Sequence, residues 1–72
     1  MEKIEIKGEY IQLDQFLKKE NYISSGGETG FFIGNHSVQL NGQKVHEKRK
    51  KIRPGDILEI DGKICEIIGE RS

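Results

Sequence analysis

Ile4 and Ile6 alternate with charged residues in KIEIK, and this period of two predicts a half-buried strand over Lys3–Lys7, ended by Gly8. The spacing then lengthens. In IQLDQFLKKENY, Leu13, Phe16 and Leu17 stand at i, i+3 and i+4, so a short helix from about Gln12 to Glu20 turns them to one side and Lys18, Lys19 and Glu20 to the other. A second helix is announced by Ser25 and, three residues on, Glu28, the spacing of a capping box. Its inward stripe is Thr29, Phe32, Ile33 and His36, which directs Phe31 the opposite way. With Gly26, Gly27, Gly30 and Gly34 each costing about 1 kcal/mol relative to Ala inside a helix, this element must be held by tertiary packing.

Beyond it the period returns to two. VQLNGQKV and ILEIDGKICEII each read as a hairpin, with Asn41-Gly42 and Asp61-Gly62 suited to type I′ turns, and RPGD between them is a turn in which Pro54 fixes φ. The order is strand, helix, helix, then about four short strands. This is an α+β plan, two short helices on a small, mainly antiparallel sheet, and the absence of repeats and linkers makes residues 1–72 a single domain.

Composition narrows the function classes. Seventy-two residues, a third apolar and a third charged, suffice for one thin core under a charged surface. No window approaches the roughly 18 apolar residues of a membrane span, and MEKIEIKGEY lacks the apolar centre of a secretory signal, so a cytoplasmic protein is expected. The single cysteine, Cys65, has no internal partner and is expected as a buried, inert thiol beside Ile64 and Ile67. His36 and His46 have no Cys, Asp or Glu at ligand spacing, GGETG has no Lys-Ser or Lys-Thr after it, and no Ser-His-Asp or Cys-His set is present. No metal, cofactor or catalysis is therefore expected.

Net charge is zero but segregated. From His36 to Arg53 six basic residues face one acid, Glu47, while the rest of the chain carries six basic and eleven acidic residues. A basic segment in an otherwise acidic molecule attracts a polyanion with one face. The bland reading of the KRKK run (Lys48–Lys51) is a solvated loop.

Taken together, LDQFLKKENYISSGG, HSVQLNGQKV and KIRPGDILEI resemble the S4 RNA-binding domain, with its αL motif, and closely the small stand-alone S4 proteins of bacteria, over about Gln12 to Ile60. The resembling features are Leu13-Asp14 opening the first helix, Ser25 before the second, Phe32-Ile33 late in it, Val38, Leu40, Asn41 and Gly42 in the hairpin, and the Pro54-Gly55-Asp56 turn. The resemblance implies a monomeric module binding structured RNA, ribosomal RNA or an assembling ribosomal subunit above all. It also exposes a departure. The family's usual arginine before the Leu-Asp pair, the one after the Ser and the basic residue within the second helix are here Gln12, Gly26 and Gly30.

The expected RNA surface therefore combines Gln12, the amides around Ser25, Gly26, Gly27 and Gly30, the basic residues Lys44, Lys48, Arg49, Lys50, Lys51 and Arg53, and His36 as helix cap or phosphate donor. Phe31 is a candidate to stack a splayed base, although packing on the first strand or a neighbour is the more ordinary role for it. A rival reading comes from VQLNG followed by PGDILEI, which also resembles the β-grasp sulfur carriers. Those end in Gly-Gly where this sequence reads GERS, so a carrier role is not expected, and a protein-docking adaptor is the alternative to RNA binding.

Overall fold

The structure, a computed structural model, describes residues 1–70. Strand β1 (Glu2–Ile6) leads through Gly8 to a two-residue strand β2 (Ile11–Gln12) and helix α1 (Leu13–Lys19). A 3-10 turn (Gly26–Glu28) runs directly into helix α2 (Thr29–Asn35), followed by β3 (Val38–Leu40), β4 (Gln43–Lys44), β5 (Lys51–Ile52), β6 (Ile57–Ile60) and β7 (Lys63–Gly69). The α+β plan, two short helices on a mainly antiparallel sheet, is thus the fold observed. Five strands form one sheet in the order β1-β7-β6-β3-β4, in which only β1 and β7 run parallel.

Both predicted hairpin turns form where both central residues can adopt positive φ: Asn41 and Gly42 at 53° and 82°, Asp61 and Gly62 at 51° and 87°. The helical side of the sheet holds the core. Leu13, Phe16 and Leu17 from α1 meet Phe32 and Ile33 from α2 over Ile6, Val38, Leu58, Ile60, Cys65 and Ile67, all buried. Each large apolar side chain taken fully from water contributes roughly 1.5–3 kcal/mol. Thr29, the one buried polar residue among the described residues, satisfies its hydroxyl by donating to the Gly26 carbonyl at 2.8 Å.

Three features depart from the pattern reading. The second helix starts as a 3-10 turn, so its glycines Gly26 and Gly27 lie outside the α-helical ladder and cost it less than four interior glycines would. His36 is exposed instead of completing the inward stripe, because the chain is already extended there (φ −132°, ψ 159°) and helical spacing no longer applies. Finally, β2 and β5 pair as a separate antiparallel ribbon, Ile11 opposite Ile52 and Gln12 opposite Lys51. Two-residue strands have no period to detect. They exist because Ile52 is fully buried and draws the chain that precedes it across the start of α1.

The two hairpin-and-turn signatures lock onto each other. Asn41 exchanges backbone and side-chain bonds with Ile57, its amide donating to the Ile57 carbonyl (2.7 Å) and its Oδ1 accepting from the Ile57 amide (2.9 Å). Its Nδ2 donates to Asp56 at 3.1 Å, and Asp56 in turn accepts from the Arg53 amide at 2.8 Å. These positions serve the fold.

Candidate functional site

The basic segment is an arch fixed at both ends. At its entry the amide of buried Val45 donates to the Val38 carbonyl (2.9 Å); at its exit the carbonyl of Lys50 accepts from the amide of Leu13 (2.8 Å), and Ile52 anchors the core. A helix start leaves its first amides without intrahelical partners, so the Leu13–Lys50 bond caps α1 with the backbone of the arch itself. The arch is consequently laid against the helices and not extended into solvent.

Where its side chains fall follows from that path. The stem of Lys48 crosses α2 at Gly30: a Cβ there would stand 2.7 Å from Lys48 Cε and 3.3 Å from Nζ. Lys51 is the cross-strand partner of Gln12, and its Nζ stands 4.9 Å over the Tyr10 ring, a cation–π contact that holds the ammonium beside the start of α1. Lys50 is half-buried, and with Lys44, His46 and Glu47 it lines a cleft of about 370 Å³ between the arch and the β3–β4 hairpin. Arg49 and Arg53 are exposed, Arg49 within the arch and Arg53 at the turn into β6. Among the described residues, none of the six basic residues from Lys44 to Arg53 enters a salt bridge, so their charge is uncompensated by close acids.

The start of the second helical segment has a different character. Ser25 caps the 3-10 turn within a capping box, and the Glu28 carboxylate accepts from the amides of Ser25 (2.8 Å) and Ser24 (2.9 Å). The Ser25 hydroxyl lies 3.4 Å from the same carboxylate. Asp14 Oδ2 approaches Gly26, 3.7 Å from where a Cβ would sit. Two carboxylates thus stand around Ser25, Gly26 and Gly27, and the resulting negative field disfavours a phosphate at this spot. Gln12 is half-buried and serves as N-cap of α1, its amide donating to Gln15 Oε1 at 3.3 Å.

Phe31 is 76% exposed, so packing against the first strand is not its role. It borders a second cleft, of about 400 Å³, with Tyr22, Phe32 and His36. His36 is the C-cap residue of α2; its ring stacks on Phe32 (centroids 4.1 Å apart, 16° between planes) and its Nδ1 lies 2.6 Å from Asp61. Asp61 also accepts from the Ser37 amide at 2.9 Å; that bond first, and the His36 contact second, hold its carboxyl below its ordinary pKa. His36 stands at the far end of α2 from Gly26 and Gly27, and Lys44 lies on the edge strand β4, so the candidate residues form a band around the helices and not a single point.

Tyr10 and Tyr22 were not foreseen as members of this surface. Both sit in connecting segments without periodicity, and only the folded chain brings one to Lys51 and the other to Phe32. Cys65 is buried with its thiol 3.5 Å from the Leu58 carbonyl, and burial pushes its pKa up, as an inert core thiol requires. Among the described residues no three His, Cys, Asp or Glu side chains gather as metal ligands, and no helix is long and apolar enough to cross a membrane.

A family model described as the S4 domain matches residues 4–68. The chain is also 39% identical over 59 residues to the probable ribosome maturation protein RlbA of Bacillus subtilis (strain 168), an alignment that covers 82% of this chain and 83% of that protein. A match spanning both helices and nearly the whole sheet, on a chain whose hairpin and Pro-Gly-Asp signatures are hydrogen-bonded to each other, leads to one conclusion: the protein belongs to the S4 domain family.

Proposed function

We propose that this protein is a monomeric, non-catalytic module that binds structured RNA, with ribosomal RNA of a maturing subunit as its target, through the surface formed by the basic arch and the outer faces of α1 and α2. The observation that carries the reading is the placement of Lys48 on Gly30 and Lys51 opposite Gln12. At two of the three positions where the S4 resemblance leads one to expect a basic residue on the helices, a lysine from the arch arrives through space. The helical face regains cations that its own sequence lacks. At the third position, Gly26, the neighbour is Asp14, and no such replacement occurs.

RNA suits this surface because it is a dense line of phosphates. Neutralising several of them releases counterions, and cations held on a fixed arch contribute affinity without reading base identity. The relative's printed name, a probable ribosome maturation protein, agrees with a ribosomal target. The β-grasp-like adaptor has no comparable observation in its favour.

Changing Lys48, Arg49, Lys50 and Lys51 to Gln tests the proposal. Binding to hairpin RNAs of unrelated sequence should weaken by a similar factor, and the slope of log K against log salt should fall by roughly two to three and a half, at about 0.7 to 0.9 per lost phosphate contact. The melting temperature should hardly move, since exposed charges seldom contribute more than about 0.5 kcal/mol. Unchanged affinity with an unchanged slope would reduce the arch to a solvated connection.

A further inference from the structure

Beyond phosphate contact, and resting on the RNA-binding reading above, we infer that the cleft beside Phe31 receives one unpaired nucleobase, stacked on the Phe31 ring. Phe31 is the most exposed aromatic side chain among the described residues; of the residues one turn away from it, Gly27 and Gly34 carry no side chain, and Asn35 turns its amide onto the Phe31 carbonyl at 2.8 Å. The ring therefore offers an open π-face. On one side lies the cleft of about 400 Å³, within the range of roughly 300–1,000 Å³ typical of small-ligand sites. Its walls are set by aromatic contacts, Tyr22 meeting Phe32 edge-on (5.6 Å, 65°) and His36 stacking on Phe32, and the Glu28 carboxylate that also lines it is already bonded to the Ser24 and Ser25 amides. At the preceding residue, Gly30, the Lys48 side chain crosses the helix.

A planar aromatic site adjoining an uncompensated ammonium matches the two halves of a nucleotide, base and phosphate. With its Nδ1 against Asp61, His36 has Nε2 left to bond a base edge. A base within a duplex has both faces covered by its neighbours, so only a bulged or looped-out one can enter.

The test uses two hairpin RNAs, one fully paired and one with a single-nucleotide bulge carrying the fluorescent base 2-aminopurine. Wild type should favour the bulged RNA and quench its emission. Phe31→Ala should lower affinity for the bulged RNA by about 5- to 150-fold, abolish the quenching, and leave both the affinity for the paired hairpin and the salt slope unaltered, because stacking involves no counterions. Phe31→Trp should restore the preference. If Phe31→Ala binds both RNAs as wild type does, or weakens both equally, the base site is overturned. The phosphate reading survives that result provided the four-residue arch variant still lowers the salt slope, whereas wild type without salt-dependent binding to either RNA overturns both.

Discussion

Glu28 has a larger role than the serine that announces it. The spacing from Ser25 to Glu28 leads one to expect the serine hydroxyl to hold the helix start, at a cost of about 1 kcal/mol for its removal. In the structure the charged carboxylate takes two amides, those of Ser24 and Ser25, at hydrogen-bond lengths of 2.9 and 2.8 Å, whereas the hydroxyl faces the Glu28 amide in the capping box without a full cap hydrogen bond and lies 3.4 Å from that carboxylate. Bonds to a charged acceptor are roughly twice as strong as neutral ones. Glu28→Ala is accordingly expected to destabilise by about 1–2 kcal/mol, and Ser25→Ala by less than about 0.5 kcal/mol. Urea melts of the two variants check the order, and an equal or larger loss for Ser25→Ala would return the capping role to the hydroxyl. The same carboxylate also explains why Gly26 and Gly27, though rich in amides, are a poor place for an anion.

At the scale of elements, α2 is short, glycine-containing and dependent on its neighbours, and Gly30 marks a conflict between stability and function. Replacing it with Ala adds helix propensity worth about 1 kcal/mol. The new Cβ would also meet Lys48 Cε at 2.7 Å, a contact relieved by swinging the flexible lysine away. Gly30→Ala should therefore raise the melting temperature while lowering affinity for hairpin RNA about 2- to 5-fold, the size of one lost exposed charge contact. Gly34→Ala is the matched comparison, because a Cβ there meets nothing within 4 Å and Lys48 stays in place. If Gly30→Ala and Gly34→Ala bind RNA equally, the position of Lys48 on α2 is irrelevant to binding. The β2–β5 ribbon belongs to the same scale: it is two residue pairs long, yet it sets Lys51 opposite Gln12 and delivers the arch to the helices.

Across the whole molecule, charge is divided between an arch rich in lysine and arginine on the helices and a sheet whose strands β1, β6 and β7 carry Glu2, Glu5, Glu59 and Glu66 against Lys3 and Lys63. Hydrogen bonds to one carboxylate join the helical layer to the far hairpin of that sheet. Asp61, in the β6–β7 turn, accepts from Ser37 and His36 at the end of α2, and its folded pKa lies below the unfolded one. A depressed carboxyl pKa gives stability that is present above the unfolded value and lost as pH falls through the folded value. Melting temperature should thus drop below about pH 4, and Asp61→Asn, which tolerates the same positive φ, should flatten that acid limb. Parallel curves between pH 2 and 6 for the two proteins would remove Asp61 from the acid response.

By itself the sequence determined everything written in periods and turn chemistry. KIEIK alternates, Leu13, Phe16 and Leu17 recur at helical spacing, and Asn41-Gly42 and Asp61-Gly62 accept positive φ, so the first strand, both helices and both hairpins were legible locally, and with them the α+β class, whereas β2 and β5 were not. The Ser25–Glu28 pair placed the second helix to within a turn. Tertiary structure decided what depends on pairs distant in sequence. Lys48 meets Gly30 eighteen positions earlier, Lys51 meets Gln12 thirty-nine earlier, and the carbonyl of Lys50 caps α1, because buried Val45 and Ile52 pin the two ends of the arch. The basic run was visible as charge along the chain, but its address on the helices was not, since a lysine's position on a surface is set by the backbone path and not by its own sequence neighbours. Phe31 shows the same division: helical spacing turned it outward, and only packing put Tyr22 and His36 on the rim of one cleft beside it.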